Sequence, residues 1–152
     1  MDSITSQRYK QFWRDLLRKW KKQSNKYFMQ TSPRSDGWLQ ATAWKSRKKG
    51  QSGVCYGFVL NMESAKVELL IYDVMDMNSK LWDYLRENKL IIDSQFGSGV
   101  DWHVNKTAHL RKVVMRTGLN NEAEWSVIQD AMIHEMRRLI SVCEPYLVGR
   151  QP

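Results

Sequence analysis

The stretch VCYGFVLNMESAKVELLIYD, residues 54–73, decides the fold. Val54, Tyr56, Phe58 and Leu60 recur at a period of two, and beyond the Glu63-Ser64-Ala65 turn Val67, Leu69 and Ile71 repeat it, so Val54–Met62 and Lys66–Asp73 read as strands. A turn this short joins antiparallel neighbours, because a parallel crossover needs a dozen residues or more. Upstream, Trp38–Ser46 supplies a third strand through a loop rich in Lys, Arg and Gly, which makes an antiparallel meander. Alternation of this kind predicts a sheet covered by helices on one face and wetter on the other.

Outward from the meander the period changes to 3.6. Tyr9, Phe12, Trp13, Leu16, Leu17, Trp20, Tyr27 and Phe28 define one face of an N-terminal helix over Ser6–Phe28, closed by Ser32-Pro33 and the Asp36-Gly37 turn. Asn78 can cap a helix to Phe96 with Leu81, Leu85, Ile92 and Phe96 inward, ended by Gly97 and Gly99. Two further strands follow at Val100–Val104 and Leu110–Arg116. Asn121 and Glu124 open a last helix whose stripe runs from Trp125 through Ile128, Met132, Met136, Leu139, Ile140 and Cys143 to Leu147. The expectation is a single α+β domain over residues 1–152, with 1–5 and 148–152 as frayed tails. Its antiparallel five-stranded sheet is packed by three helices in the order α-βββ-α-ββ-α.

With 152 residues, 42% of them hydrophobic and only 3 Pro and 8 Gly, the chain can bury one ordinary core, which excludes disordered and collagen-like classes. No run approaches the ~18 apolar residues of a membrane span, and MDSITSQRYK is not a signal peptide. The expected location is therefore the cytoplasm. Cys55 and Cys143 have no further Cys or His at ligand spacing, so they read as reduced core thiols rather than a disulfide scaffold or zinc site.

Charge is unevenly spread. Residues 1–50 hold 13 basic and 3 acidic side chains, a net of +10, whereas residues 51–152 hold 11 and 13, a net of −2. Such a surface attracts nucleic acid, anionic lipid or an acidic protein without choosing among them. Two features concentrate it: a ladder of Lys10, Arg14, Arg18, Lys21, Lys22 and Lys26 opposite the first apolar stripe, and Lys45, Arg47, Lys48 and Lys49 in the first hairpin loop. Both can track phosphates without reading sequence. Seven Trp residues add a stacking hypothesis. Trp44, beside Lys45, and Trp102, beside His103, are the ones placed for exposure, and on an open sheet face they would sandwich a nucleotide. Trp13, Trp20 and Trp125 read as core.

Catalytic signatures are incomplete. Asp36 and Glu68 could be the two acids of a restriction-type metal site, but the position two after Glu68 is Leu70, where the water-polarising Lys belongs. His134-Glu135 begins a zinc-protease motif whose second His is replaced by Arg138, leaving a polar helix face with Arg137. His103 and His109 flank a turn and could hold an ion or phosphate. No phosphate-binding glycine loop or nucleophile elbow is present.

A set of landmarks then carries a resemblance. They are Phe12-Trp13, Ser32-Pro33, Trp38, Gly53 with Tyr56 and Phe58, Val67-Glu68-Leu69, Asn78 with Leu85, Phe96-Gly97, Trp102, and Trp125 through Met132 to Pro145-Tyr146. Over roughly Tyr9–Leu147 the chain resembles a prokaryotic domain family of uncharacterised function, typically the C-terminal part of proteins that begin with a restriction-endonuclease-like nuclease domain. The landmarks are mostly core and turn positions, so the resemblance implies a fold and supplies no catalytic residue. It also implies a role near restriction or phage defence. This sequence leaves no room for a nuclease domain in front, so the chemistry is expected elsewhere.

Together these readings point to a domain that is not an enzyme and needs no cofactor or metal. Its expected partner is nucleic acid, DNA in the first place, or a nuclease or other defence protein. Contacts would run through Lys10, Arg14, Arg18, Lys21, Lys22, Lys26, Lys45, Arg47, Lys48, Lys49 and Trp44. The alternatives are a protein-interaction module, as a homodimer or an inhibitor in phage–host conflict, and a nucleotide-sensing domain. A membrane-surface role is disfavoured, because the first helix spends its apolar face on the domain's own sheet.

Overall fold

Asp2 starts the first helix by accepting a hydrogen bond from the Thr5 N–H at 2.7 Å, an N-cap that satisfies one of the otherwise orphaned amides. The computed structural model describes residues 2–45 and 52–149. Arg47, Lys48 and Lys49 of the basic loop lie outside the described residues, as does the Lys45 side chain. Helix α1 (Ser3–Gln23) is followed by strands β1 (Trp38–Lys45), β2 (Ser52–Leu60) and β3 (Ala65–Ile71). Next come α2 (Ser79–Glu87), α3 (Lys89–Phe96), β4 (Val100–Val104), β5 (Ala108–Met115), a 3-10 turn (Glu122–Glu124) and α4 (Trp125–Leu147).

The five strands form one antiparallel sheet in the order β1-β2-β3-β5-β4, and the chain order α-βββ-α-ββ-α is the one the periodicities predict. Val54, Tyr56, Phe58 and Leu60 point to the same side as Val67, Leu69 and Ile71, and all seven are buried. The helices lie on that side. Trp13 and Trp20 of α1 bring their rings to 6.4 and 5.9 Å from Phe58. Glu144 of α4 meets the Tyr56 hydroxyl at 3.0 Å, and Asp93 of α3 accepts from the Trp102 indole N–H at 2.7 Å. Among the described residues no helix covers the opposite face, and none is long and apolar enough to cross a membrane.

Three local departures from the expected elements have physical causes. Helix α1 ends at Gln23, and Tyr27 and Phe28 take φ values of 57° and 53° in a turn. There the Trp20 indole N–H donates to the Lys26 and Tyr27 carbonyls at 3.3 and 3.0 Å, while Phe28 packs on Trp20 and Phe58 with ring centroids 5.3 and 4.8 Å away. The two aromatics thus reach the core from a loop. The single helix expected over 78–96 is two helices, so four rather than three cover the sheet. Asn88 separates them, its side-chain amide donating to the Tyr84 carbonyl at 2.9 Å. Finally, Asn78 stands at the N-cap position of α2 without capping it. Its amide donates instead to the Tyr72 and Gly53 carbonyls at 2.6 and 3.4 Å, tying the end of β3 to β2.

Candidate functional site

A helix of 3.6 residues per turn advances 100° per residue. On α1 this places Phe12, Leu16, Tyr9, Trp20, Trp13 and Leu17 along one side, all buried. It gathers Lys10, Lys21, Arg14, Arg18 and Lys22 within an arc of about 120° on the other, over about 18 Å of axis. All five are exposed. Arg14 donates to Gln11 at 2.9 Å and Arg18 meets Asp15 at 3.4 Å, both on the same helix, while among the described residues no hydrogen bond or ion pair reaches Lys10, Lys21 or Lys22.

Two other cations of α1 face its neighbours and do a different job. Arg8 donates to the Leu119 carbonyl at 2.8 Å and lies 5.5 Å from the Trp125 ring. Lys19 reaches the Ser126 carbonyl and hydroxyl at 3.1 and 2.9 Å and Asp130 at 3.1 Å, fastening α1 to the start of α4.

Lys26 leaves the ladder. It sits beyond the helix end, where its ammonium pairs with Glu144, whose carboxylate also accepts from the hydroxyls of Tyr27 at 2.9 and 3.0 Å and Tyr56 at 3.0 Å. Burial alone would raise the Glu144 pKa, but the bonds from Lys26, Tyr27 and Tyr56 outweigh it and the net shift is downward. Burial first, and the carboxylate second, push the Tyr27 hydroxyl up. Burial likewise raises the adjacent Cys143 thiol to about 12, leaving it protonated and unreactive.

Neither of the two tryptophans better placed for exposure stands on the open face of the sheet. Strict alternation along β1 would put Trp44 on the bare face with Trp38, Gln40 and Thr42. A bulge intervenes, because Thr42 pairs with Cys55 and Trp44 with Val54, so Ala43 is the extra residue. The phase flips there, and Trp44 turns into the core at 3% exposure. Trp102 lies on the helix side of β4, its ring 5.8 Å from Trp82 and its indole N–H bound to Asp93. Of the seven Trp residues, Trp38 is the one that stays mostly exposed, at 53%. The sequence singled it out only as a fold landmark, because exposure on an edge strand depends on register.

The bare face is polar at its centre. Glu68 is 1% exposed and lies across Gly57, where a Cβ would stand 3.2 Å from its Cγ. Its Oε2 accepts from Arg111 Nε and Nη2 at 3.1 and 2.7 Å. Next to it on β4 and β5, His103 and His109 stack with centroids 5.2 Å apart, and His109 Nε2 meets Asp101 at 3.2 Å. Burial, partly offset by the Asp101 hydrogen bond, holds the His109 pKa below the usual imidazole range.

The two acids considered for a metal site have separate arginines, since Asp36 is held by Arg34 Nε and Nη2 at 3.0 and 2.7 Å. Among the described residues no group of three or more His, Cys, Asp or Glu is placed to hold a metal ion. On α4, Glu135 pairs with Lys112 at 3.3 Å and lies 3.9 Å from Arg138, and His134 is exposed. Lys112 and Arg138 in turn donate to the Phe96 and Gln95 carbonyls at 3.0 and 3.2 Å, placing positive charge at the C-terminus of α3 where the helix dipole favours it.

These features define a two-layer α+β domain, an antiparallel sheet with helices on a single face, the first of them cationic on its exposed side. The family model for a domain of unknown function, DUF4268, matches residues 8–147, and the chain belongs to that family. No curated protein and no solved structure matches the chain.

Proposed function

We propose that this chain is a non-catalytic nucleic-acid-binding module, for DNA in the first place, that grips the sugar-phosphate backbone along the outer face of α1. The observation that carries the reading is the exposed arc of Lys10, Arg14, Arg18, Lys21 and Lys22, in which only Arg18 meets a carboxylate, that of Asp15. An array of this kind neutralises phosphates and releases counterions without reading bases. The loop cations Lys45, Arg47, Lys48 and Lys49 are expected from the sequence to add phosphate contacts of their own. In the setting that the family resemblance implies, the module works in the cytoplasm beside a nuclease of a restriction or phage-defence system, holding substrate while the partner cuts.

The test is fluorescence anisotropy of labelled duplex and single-stranded DNA across a salt series. Five phosphate contacts give a log–log salt slope near −4.5, by the rule of about −0.9 per phosphate. Replacing Lys10, Arg14, Arg18, Lys21 and Lys22 by Ala should flatten that slope by about one for each phosphate that is no longer neutralised, and weaken all sequences alike. Unchanged affinity in that variant, or magnesium-dependent cleavage by the wild-type chain alone, would overturn the reading.

A further inference from the structure

At its β1 edge the bare sheet face ends in a cleft of about 420 Å³ lined by Thr31, Ser32, Pro33, Arg34, Trp38 and Gln40. That volume falls in the ~300–1,000 Å³ range of small-ligand clefts. Pro33 and Trp38, the exposed indole described above, supply its apolar lining. The backbone that carries the ring is held in place, because the Trp38 backbone N–H donates to Asp36 Oδ1 at 3.2 Å and Asp36 is clamped by Arg34.

The polar lining is rich in donors. The Tyr72 hydroxyl donates to Gln40 Oε1 at 3.4 Å, and among the described residues no hydrogen bond engages Gln40 Nε2, so its donors are available to a ligand. Arg34 gives Nε and Nη2 to Asp36 and keeps Nη1 to offer. Thr31 and Ser32 add two hydroxyls. Asp36, the neighbouring acceptor, is already engaged by Arg34 and by the Trp38 N–H. A flat π surface beside a cation and several donors fits a ligand that is planar, acceptor-edged and anionic.

We propose that this cleft binds an unpaired nucleotide, with the base stacked on Trp38 and read at its acceptor edge by Gln40, and the phosphate held by Arg34, Thr31 and Ser32. Stacking on an indole tolerates any base, so the site selects unpaired over paired nucleic acid rather than one sequence over another. The site uses none of the α1 cations and does not depend on the backbone-binding reading. A peptide occupant fits less well, since a peptide backbone brings amide donors that need acceptors in the cleft.

The full chain is titrated with labelled oligothymidine, a duplex of equal length, free uridine monophosphate and a proline-rich peptide. The variants are Trp38→Ala, Trp38→Phe and the triple variant Lys10→Ala/Lys21→Ala/Lys22→Ala. Trp38→Ala should weaken oligothymidine binding roughly tenfold or more while leaving duplex affinity unchanged, and Trp38→Phe should keep most of it. In the wild type, oligothymidine should shield Trp38 from acrylamide quenching, a readout that needs no variant. Binding of uridine monophosphate with the same Trp38 dependence assigns the site to a free nucleotide. Trp38-dependent binding of the strand alone assigns it to a nucleic-acid chain. Equal oligothymidine affinity in wild type and Trp38→Ala, no protection from acrylamide, or Trp38-dependent binding of the peptide in place of the oligonucleotide would overturn the proposal. The α1 triple variant reports separately, since weakened duplex binding there tests the helix and not the cleft.

Discussion

The Glu68 carboxylate and the Arg111 guanidinium lock together across β3 and β5, two nitrogens on one oxygen at 3.1 and 2.7 Å, on the side of the sheet without helices. Glu68 is almost fully buried while Arg111 keeps 29% exposure, so the arginine is the lid and the glutamate the floor. Removing the lid strands a buried charge. Arg111→Met should cost about 3 kcal/mol, toward the lower end for a severed buried pair because Arg111 is part-solvated. The check is a urea midpoint that falls with unchanged m-value. Glu68→Gln/Arg111→Met together should cost less than the sum of the singles. A single variant within about 0.5 kcal/mol of wild type would show that water already serves Glu68.

Two glycines beside β1 and β2 should respond differently to the same added methyl. A Cβ on Gly37 would lie 2.1 Å from the Leu60 carbonyl oxygen, and the Gly37 carbonyl itself accepts from Leu60 N–H at 2.8 Å, so backbone must move. Gly37→Ala should cost more than about 3 kcal/mol. At Gly57 the nearest atom is the flexible Glu68 Cγ at 3.2 Å, and Gly57→Ala should cost about 1 kcal/mol. Thermal or urea melts of the two variants rank them directly, and equal losses would contradict the contact geometry.

Glu144 should make the fold acid-sensitive. Its folded pKa lies below the ordinary 4.5, so the unfolded chain binds more protons in that window and stability rises with pH through it. The contribution is complete above about pH 4.5 and is lost as pH falls through the folded value. Wild type should therefore be more stable than Glu144→Gln at neutral pH, with the gap closing on acidification. A gap that stays constant across an acid titration followed by circular dichroism would mean that the Lys26 and tyrosine bonds are indifferent to the charge.

The cations of α1 should divide by stability as they divide by direction. Arg8→Ala removes a donor from the part-buried Leu119 carbonyl and should cost about 1 kcal/mol. Lys10, Lys21 and Lys22 make no hydrogen bond or ion pair among the described residues, so Lys10→Ala, Lys21→Ala and Lys22→Ala should stay within about 0.5 kcal/mol of wild type. Urea melts of the four variants give the comparison, and a loss at Lys21 equal to that at Arg8 would contradict the outward arc.

The strands were legible in the sequence because one buried face per strand imposes a period of two, and Tyr56, Phe58, Val67 and Leu69 keep it without interruption. What escaped depends on interactions remote in sequence or on single-residue phase changes. One extra residue at Ala43 sends Trp44 inward and leaves Trp38 as the exposed ring. The helix break at Asn88 turns on a side-chain amide choosing the Tyr84 carbonyl, which propensity ranks only as a mild disfavour. From the sequence, Glu68 is a site candidate only as one of two acids for a metal site. Its partner is 43 positions away, on a strand whose place in the sheet order must be known first. Lys10 to Lys22 share one helical face because α1 carries the 3.6 period that far, whereas Lys26 lies past the end of the helix.

Placing every helix on one side gives the molecule a front and a back. The cations of α1 look away from the sheet, and Trp38 looks out from its other surface at the β1 rim. Any single polymer that touches both must turn sharply round that rim, within the thickness of two layers of secondary structure. Double-stranded DNA, with a persistence length of about 50 nm, makes such a turn only at an elastic cost of several kcal/mol, whereas an unpaired strand is far more compliant. If both surfaces hold nucleic acid as proposed, the division into two faces would act as a bend gauge: mechanical compliance, rather than base sequence, would decide which polymers reach both surfaces at once.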